Sequence, residues 1–153
     1  MPAARLTVEE HRQRANRHLA TGDVLAGKDE CDWAAVCYFY AAYHLIRASL
    51  ISDPIFEHPT LLSRINADLT MEDRHVTRHH GNKRGEHGRL WGVNDLVLLL
   101  YTPLAGSYER LHQASVDVRY GAGLRGDLAP IRDSLAAIAV AYEAGDIVTP
   151  LPA

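Results

Sequence analysis

Between Trp33 and Ile51 the chain reads WAAVCYFYAAYHLIRASLI, apolar or aromatic at almost every position, with His44, Arg47 and Ser49 as interruptions. A helix that is apolar all round must be covered on more than one side. The segment is therefore expected at the centre of the fold, opening near Asp32 as N-cap and closing at Ser52-Asp53-Pro54. Its hydropathy raises a membrane span, but its polar interruptions and three tyrosines favour a buried helix.

Three other stretches have the spacing of half-buried helices. Thr7-Val-Glu-Glu10 is a capping-box pattern, and the polar helix it opens should run to about Leu25 or Ala26, before Gly27-Lys-Asp, as an outer helix with one docked face. After Asn94, Val97, Leu100, Leu104, Tyr108, Leu111, Ser115 and Val118 follow in steps of three and four, one helical face, with Pro103 expected to kink or restart the helix. Asp127-Leu-Ala-Pro130 opens a last helix striped by Ile131, Leu135, Ile138 and Tyr142 and ended by Gly145-Asp146. Residues 146–153 form a Pro-containing tail. No stretch alternates as a strand does, and no repeat is visible. The expected architecture is all-α: one domain, residues 1–153, as a four-helix bundle with a long, partly irregular insertion, residues 53–93, between the second and third helices. An insertion of that length is usually functional or carries structure of its own, and HPTLLSRINADL, His58 to Leu69, could supply a short helix.

Charge changes this picture. The chain has 153 residues, 47% hydrophobic and 23% charged, with a net charge of −3, which excludes a wholly disordered or uniformly basic protein. It has nine His, and its sixteen basic residues are nearly all Arg. Inside the insertion, Arg74 to Arg89 reads RHVTRHHGNKRGEHGR, net +4, so the remainder carries −7. Arginine forks suit phosphate, and nucleic acid rewards several such contacts together through counterion release; the plainer reading is a solvated basic loop. Histidine adds proton transfer near neutrality. Metal-free RNA cleavage needs a base, an acid and a cation on the phosphate, which Arg74 with His79 or His80 could provide.

The run Asp32-Trp-Ala-Ala-Val-Cys-Tyr-Phe-Tyr-Ala-Ala-Tyr-His44, with Tyr108-x-x-Leu-x-x-x-Ser115-x-x-x-Arg119-Tyr120, resembles the HEPN superfamily of helical domains found in prokaryotic toxins and defence proteins. That resemblance, over about residues 8 to 142, implies an all-α, usually dimeric domain. Many members are metal-independent ribonucleases with an Arg followed after four to six residues by a His. Arg74-His75-Val-Thr-Arg-His79-His80 fits that motif; a second alignment places His87-x-Arg89 at a non-catalytic His/Arg position.

The resulting expectation is a cytoplasmic, homodimeric, metal-independent endoribonuclease without cofactor. Arg74, His79 and His80 would be catalytic, and His75, Arg78, Lys83, Arg84, His87 and Arg89 would contact RNA. The alternative is a non-catalytic HEPN-like module binding RNA, a nucleotide or a partner such as a nucleotidyltransferase; a toxin would also have an antitoxin partner. The N-terminus turns polar at once, with no secretory h-region. Cys31 and Cys37 lie on different helical faces and should be reduced, buried thiols rather than a disulfide or zinc pair. His44 reads as a buried, hydrogen-bonded residue of the bundle, with a cleft position as the functional alternative. His11, His18, His44 and His112 form a conceivable metal set, disfavoured because no Glu-x-x-His pair accompanies them. Tyr38, Tyr40, Tyr43, Tyr101 and Tyr108 read as packing residues rather than stacking platforms, and Arg119-Tyr120 either caps its helix or points into the His/Arg cleft.

Overall fold

The computed structural model describes residues 4–85 and 88–151, and for residues 82–85, 88 and 89 the backbone alone. The helices are α1 (Val8–Gly27), α2 (Cys31–Ser52), α3 (Pro59–Ile65), α4 (Val93–Leu100), α5 (Thr102–Tyr120) and α6 (Ala129–Glu143), with short 3-10 helices at Pro54–Glu57 and Met71–His75. A two-stranded antiparallel hairpin, β1 (Asn82–Gly85) with β2 (Gly88–Leu90), precedes α4. That hairpin is a departure from the all-helical expectation. Its strands are too short and too charged to show alternation, and glycines bound its turn.

Everything else is arranged around α2. Helices α1, α4, α5 and α6 all pack on it, and α5 also packs on α4 and α6. Ala34, Ala35, Phe39, Ala42, Ile46, Ala48 and Leu50 are wholly buried, as the apolar run requires. The segment Cys31–Glu57 is long and apolar enough to cross a membrane, yet 83% of that window is buried inside the protein. Packing is what its apolar residues do in this structure.

The helix boundaries follow local chemistry. Thr7 and Glu10 form the expected capping box: the Glu10 amide donates to Thr7 Oγ1 at 3.1 Å and the Thr7 amide to Glu10 Oε2 at 2.7 Å. Asp32 does not cap α2; Glu30 holds that position without a side-chain bond. Instead the Asp32 carboxylate accepts from the Leu124 amide at 3.0 Å, fixing the α5–α6 connection, where Gly123 takes a positive φ of 109° over it. Pro103 restarts the helix: α4 ends at Leu100 and α5 begins at Thr102, with proline in its first turn.

Two polar nodes join distant segments. At the end of α2, Asp53 is 2% exposed and its carboxylate accepts four hydrogen bonds: from the Ile55 amide (3.0 Å), Tyr101 hydroxyl (2.8 Å), Thr149 amide (2.9 Å) and Thr149 hydroxyl (2.7 Å). Tyr101 owes its strongly raised pKa to burial first and Asp53 second. At the other end, Tyr38 donates to Asp23 Oδ1 at 2.6 Å, and Arg132 reaches the same carboxylate at 3.1 Å, joining α1, α2 and α6. Gly22 lets α1 approach there, since a Cβ on it would sit 2.6 Å from Tyr38 Cε1.

Alanine at Gly22 gains about 1 kcal/mol of helix propensity but drives a methyl into a ring pinned by its own hydroxyl, an overpacking cost of about 1–3 kcal/mol. Gly22→Ala should therefore lower stability in urea unfolding. Gly27→Ala, whose Cβ meets nothing within 4 Å, should be neutral or stabilising; the reverse order would refute the close approach. Asp53→Ala strands the Tyr101 and Thr149 hydroxyls without an acceptor and should cost about 3–5 kcal/mol by the same measurement.

Candidate functional site

The two histidines at 79 and 80 are placed by the start of α4. The first amides of a helix have no partner within it; here Val93 N donates to Arg78 O at 2.8 Å and Asn94 N to His79 O at 3.0 Å. Asp95 Oδ2 accepts from the amides of Gly81 (2.9 Å) and Gly92 (2.8 Å), clasping the two ends of the hairpin. Gly92 lies so close to this strand of chain that a Cβ would be 2.4 Å from His79 O. On the α2 side, Tyr43 donates to Thr77 O at 2.6 Å and receives Arg47 Nη1 at 2.9 Å.

This brings together six of the nine histidines in one aromatic array running across α2. At one end, His11 and His44 share a hydrogen bond between their Nδ1 atoms at 2.9 Å, and His18 stacks on His44 at 5.5 Å with its ring plane within 6°. At the other, His79 and His80 lie 5.4 and 5.0 Å from the His112 ring. Tyr43 joins the two ends, touching His44 at 5.3 Å and His79 at 5.2 Å. Asn94 Nδ2 donates to His112 Nδ1 at 3.1 Å, so a neutral His112 carries its proton on Nε2.

Burial lowers the proton affinity of five of these imidazoles. The His44 pKa is pushed down to about 3 by desolvation first, then by His11 and His18; His11 falls to about 4 by burial and by Arg47 and Arg14. His112 falls to about 4 by burial, then His79, His80 and Arg119. His79 is lowered by burial and by Arg119, and His18 by burial and by Arg14. Arg119 is the cation of the 79/80/112 end: its Nη1 donates to the Tyr40 hydroxyl at 3.0 Å, and its guanidinium lies 5.6 Å from the Tyr40 ring and 5.2 Å from that of Tyr120. Buried atoms without a hydrogen-bond partner also concentrate in this part of the protein: His79 Nδ1, Tyr108 Oη, Ser115 Oγ and Asn94 Oδ1.

Arg74 is not among them. It binds Glu57 in a short ion pair, donates to Asp53 O at 3.1 Å and lies over Phe56 at 5.4 Å; none of these contacts is with His79 or His80. Its sequence spacing suggested a helical pair, but the chain from 76 to 80 is irregular and carries the imidazoles away to α4 and α2. Arg78 is also committed, with Nε donating to Trp91 O at 2.9 Å. His75 is half-buried in the second 3-10 helix. The side chains of Lys83, Arg84 and Arg89, and His87 entirely, lie outside the described residues.

Among the described residues, no group of three His, Cys, Asp or Glu side chains converges as metal ligands. Cys31 and Cys37 are free but only partly buried, with burial raising the Cys37 thiol. What spacing alone could not supply was the convergence of His11, His18, His44 and His112 with the insertion. The available signal was a histidine on the apolar face of each of three helices.

Beside the array, between α4 and α5, lies a cavity of about 340 Å³ whose walls include His80, Asn94, Tyr108 and His112. Comparison with known protein families, curated proteins and solved structures finds nothing similar to this chain, so the chemistry rests on the site's own residues.

Because the unfolded chain binds protons at these histidines near pH 6.5 and the folded chain does not until far lower, their contribution is complete above about pH 6.5 and is lost as pH falls towards 4. Urea midpoints should decline through that window. The double variant His11→Leu/His44→Leu, which removes both partners together, should reduce the number of protons taken up on unfolding near pH 5 by about two. An unchanged slope would mean that neither imidazole is held neutral.

Proposed function

We propose that the protein is a HEPN-like four-helix domain acting as a cytoplasmic, homodimeric, metal-independent endoribonuclease of toxin or defence type, with Arg119 rather than Arg74 as its phosphate-binding cation. The observation that carries this reading is the grouping of His79 and His80 around His112, at ring-centroid distances of 5.4 and 5.0 Å, beside a guanidinium braced by Tyr40. The packing of α1, α2, α5 and α6 supports the four-helix assignment.

In this scheme the neutral imidazole of His79 takes the proton from a ribose 2′-hydroxyl. The 2′ oxygen forms its bond to phosphorus as the P–O5′ bond breaks, leaving a 2′,3′-cyclic phosphate and a 5′-hydroxyl. His80, the exposed member of the group, returns a proton to the leaving 5′ oxygen. Arg119, with Nη1 held by Tyr40 and no described partner on Nη2, neutralises the charge that develops on the phosphate. Arg14 and Arg17, exposed on α1, extend the cationic side of the array for the RNA backbone.

A second reading has its own support. Imidazoles held neutral are poor acids at pH 7, and a neutral aromatic array suits binding without chemistry. The protein would then be an RNA-, nucleotide- or partner-binding module, with a nucleotidyltransferase as one such partner and an antitoxin as the partner of the catalytic form.

Purified protein should cleave single-stranded RNA in EDTA to 2′,3′-cyclic phosphate ends. Arg119→Ala and His79→Ala should each slow cleavage by about 10²–10⁴-fold, while folded Arg74→Gln should cut like the parent. Salt-sensitive binding with RNA left intact would replace the first reading with the second. Loss of cleavage in Arg74→Gln with Arg119→Ala fully active would return the cation to Arg74.

A further inference from the structure

One side of the α1–α2 hairpin carries cations that no acid answers. His11, Arg14 and His18 recur on α1 at steps of three and four, and His44 and Arg47 stand three apart on α2. The two helices are antiparallel: His11 bonds His44, while His18, two turns on, reaches back to Tyr40. The same three-residue step therefore turns Arg14 and Arg47 to one side of the histidine contact.

Arg47 is the informative member. It is half-buried, its Nη1 donates to the Tyr43 hydroxyl at 2.9 Å, and its guanidinium carbon lies 5.5 Å from that ring. Nε is closed off without a partner, whereas Nη2 is open and, among the described residues, unbonded. A cation taken this far out of water is ordinarily paired, as Arg74 is with Glu57 and Arg132 with Asp23. Among the described residues Arg47 has no such carboxylate. The acids beside Arg14 on α1 are engaged elsewhere, Glu9 with Arg12 and Glu10 with the Thr7 amide. The brace on Arg47 repeats that on Arg119, which gives Nη1 to the Tyr40 hydroxyl at 3.0 Å. Tyr40 and Tyr43 are neighbours on α2, with ring centroids 6.0 Å apart. Two guanidiniums, each held by a tyrosine hydroxyl, thus flank one stretch of helix.

The partner that Arg47 lacks is an anion able to serve donors arriving from two helices. A carboxylate presents its oxygens in one plane, whereas the oxygens of a phosphate diverge and can bridge two guanidiniums. We propose that Arg47 and Arg14 form a phosphate-binding site beside His18 and His44, distinct from the phosphate position assigned to Arg119. The inference rests on the ribonuclease reading in one respect: on that reading the ligand is a second phosphate of the same RNA chain, laid along α2 past Tyr40 and Tyr43.

The test is titration of the intact protein with inorganic phosphate at constant ionic strength, followed by NMR at the ring protons of His18 and the side-chain N–H of Arg47. Both signals should shift saturably. Arg47→Gln should weaken phosphate binding about tenfold or more, and Arg47→Lys should restore part of it. Arg14→Gln should weaken it about two- to fivefold without moving the unfolding midpoint, because that side chain is exposed. Displacement of phosphate by a 2′-O-methyl RNA hexanucleotide, which cannot be cut, assigns the site to RNA. Displacement by AMP alone assigns it to a free phosphate ester, and both results uphold the site. Acetate binding as tightly as phosphate, no saturable shift, or unchanged affinity in Arg14→Gln or folded Arg47→Gln would each overturn it. The two proposals fail separately. Arg47-dependent phosphate binding by a protein that cuts no RNA keeps this site and ends the ribonuclease, whereas cleavage by a protein with no saturable phosphate binding here does the reverse.

Discussion

A helix enclosed along most of its length leaves little water for its polar side chains, and α2, largely buried from Tyr38 to Leu50, carries several. Tyr38, Tyr43, His44, Arg47 and Asp53 must all find partners inside the protein, and those partners define the surrounding structure. Tyr38 takes Asp23 from α1, Tyr43 takes the Thr77 carbonyl from the insertion, His44 takes His11, and Asp53 takes Tyr101 and Thr149. The apolar residues of α2 say only that something must cover it. Its polar residues say what, and in which orientation.

The same enclosure sets the electrical state of the candidate site. A chain with net −3 and a cationic insertion invites a picture of charge displayed to solvent. Instead, two cations of that insertion are spent on structure, Arg74 on Glu57 and Asp53 and Arg78 on Trp91, while His79 turns inward against buried His112 and burial lowers the affinity of both for protons. The cation nearest them comes from α5, a helix whose own sequence is otherwise unremarkable in charge.

Much of the helical framework was legible in the sequence because helix ends and buried faces are written locally. The capping box at Thr7, the proline at position 130, the three-and-four stripe through Tyr108 and the largely apolar run of α2 each have a cause within a few residues. Where the cause lies far along the chain, the letters are silent. Asp32 has an N-cap's chemistry but gives its carboxylate to Leu124, 92 residues away, and the hairpin owes its place to the Asp95 clasp rather than to strand periodicity. The His/Arg motif misled for a related reason. Spacing along a helix predicts proximity only if the segment is helical, and residues 76–80 are not. His79 and His80 do lie together in the histidine array, but their neighbours there, His112 and Arg119, belong to a different helix.

The Asp53 node also orders events in time. Its carboxylate sits at the end of the helix on which everything packs, yet two of its four donors belong to Thr149, 96 residues later. During synthesis the N-terminal helices emerge from the ribosome long before that residue exists, so the anion must remain wet or only partly bonded while α1 and α2 are already free to pair. Closing so distant a contact is entropically late. The core closes at Asp53 only once Thr149 is in place, so a nascent chain that has not reached it holds that carboxylate with two donors fewer.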